Sequence, residues 1–544
     1  MPGSELERPL RLDGQHLTLA HVVDVARAGL VVALDDDARV RMEASHAWVA
    51  AAAAGELREE SGASMPVYGV NTGYGSLARV RIDDDQIRAL SWNLIRSHAA
   101  GVGPPVPTDA VRAMMLLRAN ALARGASGCR PELVDTLCAM LQKGVIPEVP
   151  SRGSCGSSGD LAPLAHLGLV VFKGDDGDGT AWFDGERLSG REAMRRAGIE
   201  SLVPGPKEGL AMTNGAQLSC ALAALMLMDA EGLVLAAEVA AAASWEALQG
   251  VTRALHPDVH ALRPYPGALA VAGDLRRLLD GSGLVDSVPG KVQDAYSLRC
   301  SPQVLGAVRD ALTYAGRQVS IELNAVTDNP LILVDADDPN KAFSAGMFHG
   351  EPVGFAADHA KLALIELSAL AERRLYRLTN GALSSRLPPL LATGEAGFGR
   401  MMPQATAAAL VAANRQLAVP ASADTLPTCE DQEDHVAMST TAARRAADVL
   451  GNSRYVVAIE LLCAATGLWC RIDERPSVRL GQGTRAALDA VEEALGGRGS
   501  GVPSDDIAAV HRIVVDGSLV ERVEQATGPL ARVHDEHPLE TFHG

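Results

Sequence analysis

Aromatic side chains are scarce in this sequence: 5 Trp, 7 Tyr and 7 Phe make up 3% of 544 residues, while hydrophobic residues as a whole reach 47%. The apolar content is therefore mostly Ala, Leu and Val, which favours helices over sheets. A mainly α fold is expected. Blocks rich in Lys and Arg are missing as well, and the formal net charge is -18, so the electrostatic footprint of a nucleic-acid binder is absent. The eight cysteines, at 129, 138, 155, 220, 300, 429, 463 and 470, form no CxxC and no regular framework. That excludes a disulfide scaffold and points to reduced thiols in a cytoplasmic protein. The first residues, MPGSELERPLRLDGQ, lack the apolar core of a secretory signal. No repeat of fixed period occurs, which excludes a solenoid.

Long helical patterns are present instead, alternating with short breaks from about 210 to 475. The stretch Gly209 to Met228 carries no charge and has the length of a membrane span. Its Thr213, Asn214, Gln217 and Ser219, and the acidic residues that follow, favour a buried helix in a bundle. No membrane association is expected. Three regions are anticipated: an N-terminal lobe over 1-205, a long-helix bundle over 206-478 and a C-terminal helical tail over 479-544. Leu10-Arg11-Leu12 alternates as a short strand does, and Gly174 to Arg187 has the Gly/Asp turn chemistry of a hairpin.

The central motif is Gly153-Ser154-Cys155-Gly156-Ser157-Ser158-Gly159-Asp160, followed by Leu161-Ala162-Pro163-Leu164-Ala165-His166. Its small residues permit tight turns and close approach of ligands to the backbone. A hydrolase nucleophile elbow fails because Asp160 stands where Gly is required, and a phosphate loop fails for want of Gly-Lys-Ser/Thr. The motif resembles the ammonia-lyase and aminomutase family that carries a 4-methylidene-imidazol-5-one (MIO) group. In that family a triplet of this kind cyclises with loss of two waters. Mapped here, Ser157-Ser158-Gly159 forms the ring without an external cofactor, and Ser158 supplies the methylidene carbon. Ser157 replaces the usual Ala.

Further motifs stand in the family's order and extend the resemblance over most of residues 60 to 475. Tyr68-Gly69-Val70-Asn71-Thr72-Gly73-Tyr74-Gly75 is similar to the loop whose first Tyr is the catalytic base, with Tyr74 in place of Phe. Composition alone would make Tyr68 a packed aromatic. Ser97-His98 resembles a pair found in histidine lyases and some tyrosine aminomutases, where the His faces the substrate side chain. Asn214, Gln293, Tyr296, Arg299 and Phe348 match the shell around the prosthetic group and substrate; Arg suits bidentate grip on a carboxylate. Gln432-Glu433-Asp434-His435 places Glu433 where phenylalanine and tyrosine lyases carry Gln. By itself that acidic run reads as a solvated face; if helical, Asp431 and His435 would share a side, yet no metal is expected.

The resemblance implies covalent catalysis, in which the substrate amine adds to the methylidene while a base removes the β-proton. A carboxylate at 433 would hold an imidazole N-H and find nothing to bind on a phenyl ring. Elimination of ammonia from L-histidine, giving urocanate, is thus the expected activity. A tyrosine or phenylalanine lyase, or a 2,3-aminomutase, is the alternative reading; a non-catalytic helical scaffold is the remaining one. A homotetramer with active sites shared between chains is the assembly that the family implies.

Overall fold

A computed structural model describes residues 9–59, 61–73, 87–174, 176–392 and 397–534. Tyr74 and Gly75 of the tyrosine loop lie outside the described residues. Helices account for 58% of the described residues and strands for 7%, the balance that few aromatics and abundant Ala and Leu predict. The chain falls into two compact units, each assembled from three separated segments.

The first unit comprises Met1–Leu225, Arg317–Asp358 and Pro420–Arg444. Its strands are short. Leu10–Leu12 pairs in parallel with Val32–Leu34, and Val102–Pro105 runs antiparallel to Pro150–Arg152. The expected hairpin is present as Thr180–Phe183 and Glu186–Ser189. Asp184 and Gly185 close it with φ of 53° and 78°, the left-handed pair that a two-residue turn between twisted strands requires. Thr108–Ala123 is buried from Ala113 through Ala123 because other elements surround it, and it takes the polar Arg118 and Asn120 inside with it.

The second unit comprises Met226–Gly316, His359–Val419 and Arg445–Gly544. Four long helices enter it: Gln217–Ala247, Ser301–Glu322, Glu351–Thr379 and Ser439–Glu474. Four of the five borders between the units fall inside these helices, and nothing in composition marks such a point. The uncharged stretch also differs from a single helix. It breaks at Asn214-Gly215-Ala216, between Glu208–Thr213 and Gln217–Ala247. Gln217–Ala247 and Ser439–Glu474 are long and apolar enough to cross a membrane, but 72% and 83% of their apolar windows are buried within the protein. Core helices of a bundle account for both.

Buried charge is matched inside this bundle. Arg374 grips Glu460 bidentately, Nε to Oε1 at 2.5 Å and Nη2 to Oε2 at 2.8 Å, and Ser244 Oγ donates to Oε1 at 2.7 Å. Both charged side chains are 0% exposed. A pair so placed gains little over an apolar pair of the same volume, but breaking it strands an uncompensated charge. Arg374→Leu is therefore expected to lower the unfolding free energy by about 3–5 kcal/mol, and Arg374→Leu/Glu460→Leu by much less. Urea unfolding of the three proteins checks this; a single variant as stable as the double would refute it.

Candidate active site

Ser157-Ser158-Gly159 lies just before the Leu161–Val171 helix, in a loop stitched to three other segments by its backbone. Asp160 N-H donates to Gly215 O at 2.7 Å, Gly350 N-H to Gly156 O at 3.0 Å and Met438 N-H to Cys155 O at 2.7 Å. Gly159 has φ of 76°, and a Cβ there would stand 2.2 Å from the carbonyl carbon of Gly215. No other residue type fits this position.

Asp160 is fully buried and saturated with donors. Oδ1 accepts from Ser154 Oγ at 2.7 Å, Ser219 Oγ at 2.9 Å and Thr440 Oγ1 at 2.5 Å; Oδ2 accepts from Ser219 N-H at 2.7 Å. Ser219 and Thr440 stand in the first turns of their helices, so two positive helix ends face the carboxylate.

Beside the triplet is a cavity of about 750 Å³, lined by Tyr68, His98, Ser157, Ser158, Asn214, Phe348 and Glu433 among others. Seven sequence-selected residues thus meet in the first unit, with Gly159 buried behind them. Leu94, Leu161 and Leu210 supply its apolar wall. Gln293, Tyr296 and Arg299 belong to the second unit and do not line this cavity. There the Arg299 guanidinium lies 4.7 Å from the Tyr296 ring centre, its Nε is buried without a partner, and Tyr296 is 70% exposed.

Each lining side chain is set by its neighbours. His98 ends the Ile87–His98 helix with Nδ1 2.8 Å from Leu94 O, which assigns the ring proton to Nδ1 and leaves Nε2 as the acceptor. His166 Nε2 accepts from Gly101 N-H at 3.2 Å, fixing the turn behind His98, and burial pushes its pKa down. Asn214 sits in the helix break. Its carbonyl accepts from the buried Arg118, which also donates to Gln217 Oε1 at 3.2 Å, and its Nδ2 donates to Asn329 O at 3.3 Å. Asn214 Oδ1 is buried and has no partner, so it is free to receive a donor from whatever occupies the cavity. Asn329 is not among the residues that the sequence motifs single out, although Asp328-Asn329-Pro330 has the composition of an Asx/Pro turn.

Glu433 is the electrostatic centre. Thr428 and Glu433 exchange backbone bonds of 2.9 and 3.3 Å, closing a loop in which Cys429, Glu430 and Asp431 all have positive φ. The acidic run is therefore a strained turn, and Asp431 and His435 do not share a helical face. The turn delivers the Glu433 carboxylate to the triplet: Ser158 Oγ donates to Oε1 at 2.6 Å, and Ser157 Oγ and Thr428 Oγ1 donate to Oε2 at 2.7 and 2.8 Å. Burial pushes this carboxyl up, but the hydroxyls of Ser158, Ser157 and Thr428 with the Cys429 thiol outweigh it, and the group ends below the usual carboxylate range. Among the described residues, His349, Glu351 and His435 could hold a cation, their ligand atoms lying within 4.8 Å of one another.

Beneath the loop, the Glu322 carboxyl is pushed up to about 7 by burial and then by the charge of Asp160. The folded chain holds a proton that the unfolded chain releases above about 4.5. Stability therefore falls as pH rises from there to about 7, and the loss is complete above. Glu322→Gln should unfold later in urea at pH 8, by about 2–3 kcal/mol, and show no gain near pH 4.5. An equal gain at both values would contradict the titration.

Residues 17–493 match the family described as aromatic amino acid lyase. The chain is 44% identical over 525 residues to a histidine ammonia-lyase of Sorangium cellulosum, covering 95% of this chain and 99% of that one. It is 46% identical over 520 residues to a histidine ammonia-lyase of Symbiobacterium thermophilum, covering 95% and 99%. The crystal structure of histidine ammonia-lyase from Trypanosoma cruzi superposes with a TM-score of 0.85 at 34% identity, covering 96% of each chain. Tyrosine aminomutase from Streptomyces globisporus gives 0.87 at 33%, covering 96% of this chain and all of that one. With a family match across most of its length and relatives this similar from end to end, the chain belongs to the aromatic amino acid lyase family.

Proposed function

We propose that this chain eliminates ammonia from L-histidine to give urocanate, using an MIO group formed from Ser157-Ser158-Gly159. One observation carries the substrate choice: an ionised carboxylate, Glu433, stands against the triplet in a cavity that also presents His98. An imidazole N-H satisfies that carboxylate and a phenyl ring cannot. The histidine ammonia-lyases among its relatives support the same choice.

The residues present fit the prosthetic group. Gly159 leaves the space and the left-handed backbone that the turn demands, and the orphaned Asn214 Oδ1 awaits a donor beside the triplet. The ring supplies an electrophilic carbon for the substrate amine. Tyr68 takes the β-proton at its phenolic oxygen. Glu433 holds the imidazole N-H, His98 flanks the ring, and Phe348 with Leu94, Leu161 and Leu210 excludes water. Gln293, Tyr296 and Arg299 reach the cavity from other copies in a homotetramer, Arg299 gripping the substrate carboxylate. The unpartnered Arg299 Nε and the exposed Tyr296 support this assignment. Eight free thiols suit a cytoplasmic location.

Purified protein given L-histidine, L-tyrosine and L-phenylalanine separately is the test, following acrylate absorbance and free ammonia. Histidine should be preferred by at least about a thousandfold in kcat/KM. Ser158→Ala should abolish turnover together with the two-water mass deficit of the triplet peptide. Glu433→Gln should lower kcat/KM for histidine by about 10- to 100-fold. Preference for tyrosine, with a β-amino acid formed and little free ammonia, would instead establish the aminomutase activity that the likeness to tyrosine aminomutase keeps in view.

A further inference from the structure

Ser157 stands where the resembling family usually has Ala, and its hydroxyl is neither idle nor exposed. The residue is 6% exposed, and Oγ donates to Glu433 Oε2 at 2.7 Å. Thr428 Oγ1 donates to the same oxygen at 2.8 Å. Two donors fill the two lone-pair directions of Oε2. The other oxygen, Oε1, has a single hydroxyl donor, Ser158 Oγ at 2.6 Å.

The two serine hydroxyls have different fates if the triplet cyclises as proposed above. A bond forms between Gly159 N and the Ser157 carbonyl carbon, and the carbonyl oxygen departs as one water with the Gly159 and Ser158 amide protons, leaving a double bond from that carbon to Ser158 N. Ser158 Oγ departs with the Ser158 α-proton as the second, leaving the exocyclic double bond. The Ser157 side chain loses nothing. Cyclisation thus strips Oε1 of its hydroxyl donor and leaves both donors on Oε2.

We propose that Ser157 is a positioning residue for substrate selection: with Thr428 it pins Glu433 through Oε2, so that Oε1, vacated by Ser158, is the oxygen that accepts the imidazole N-H. A carboxylate turns readily about its terminal torsion unless its oxygens are tied. With Ala at 157, Oε2 would lose one of its two hydroxyl donors and keep Thr428, with only the weak Cys429 thiol beside it, and the carboxylate would have to be ordered at the moment of binding. The inference rests on the histidine reading and adds to it which oxygen binds and what holds that oxygen in place.

The test separates the two. In Ser158→Ala no ring can form, but Oε1 has lost its hydroxyl donor as it does on cyclisation. Calorimetry of this variant with 3-(imidazol-4-yl)propionate, an unreactive acid, should show binding. Adding Ser157→Ala should weaken it about tenfold, and adding Thr428→Val, which removes the other donor from Oε2, should do the same. In otherwise unaltered protein, Ser157→Ala should keep the two-water mass deficit, with the loss falling on KM for histidine rather than on kcat. Equal affinity with and without the Ser157 hydroxyl overturns the inference alone. So does disappearance of the mass deficit in Ser157→Ala, which would make the hydroxyl a maturation group. Tighter binding of 3-phenylpropionate than of the imidazole acid by the Ser158→Ala protein would overturn the histidine reading, and the inference with it.

Discussion

A buried carboxylate that must be satisfied organises the first unit. Asp160 has no access to solvent, so its charge is tolerable only if protein donors replace water. Four do so, and they come from the loop itself and from the first turns of two long helices. Asp160 also stands at the N-cap position of a third, Leu161–Val171, though its side chain makes no capping bond to that helix. Three helix N-termini therefore meet at one anion, and each contributes a partial positive charge that the carboxylate offsets. The triplet lies immediately before this knot, and its backbone inherits the knot's rigidity. A loop of Gly, Ser and Cys would otherwise be among the most pliable parts of the chain.

The second constraint is conformational strain with a purpose. Three successive residues, Cys429, Glu430 and Asp431, hold left-handed backbone angles that L-residues avoid. The Thr428–Glu433 bridge and the hydroxyl bonds to Glu433 compensate for that strain. The result is a half-buried carboxylate carried on a turn, held below the usual carboxylate range by its donors against the upward push of burial. Its hydroxyl donors keep it charged without adding a cation that would compete for the same oxygens.

The helical class was legible because composition decides it, and the Asp184-Gly185 hairpin because its turn chemistry is local. Seven site residues were legible only through family motifs: nothing in spacing says that Tyr68, Asn214 and Glu433 meet, since hundreds of residues separate them. The helix break at Asn214-Gly215-Ala216 stayed hidden because an uncharged run looks like one continuous helix, and close backbone contact with Thr327 decides otherwise. The acidic run reads by composition as a solvated face, yet hydrogen bonds from the triplet to Glu433 hold it in a strained turn against the cavity. Asn329 and Thr428 act through a carbonyl and a hydroxyl, and such roles leave no mark on residue type.

The contact between Gly159 and Gly215 also limits how this protein can change over time. A Cβ on Gly159 would strike Gly215, and one on Gly215 would stand 2.3 Å from Thr327 O, so no second substitution makes room for the first. The two positions are locked jointly, and the reactive end of the cavity is closed to drift. New substrate preferences must arise elsewhere in the lining, among His98, Phe348 and the 428–435 turn, where side chains rather than backbones meet the ligand. Divergence of specificity over an immobile reaction centre is the expected history of such a fold.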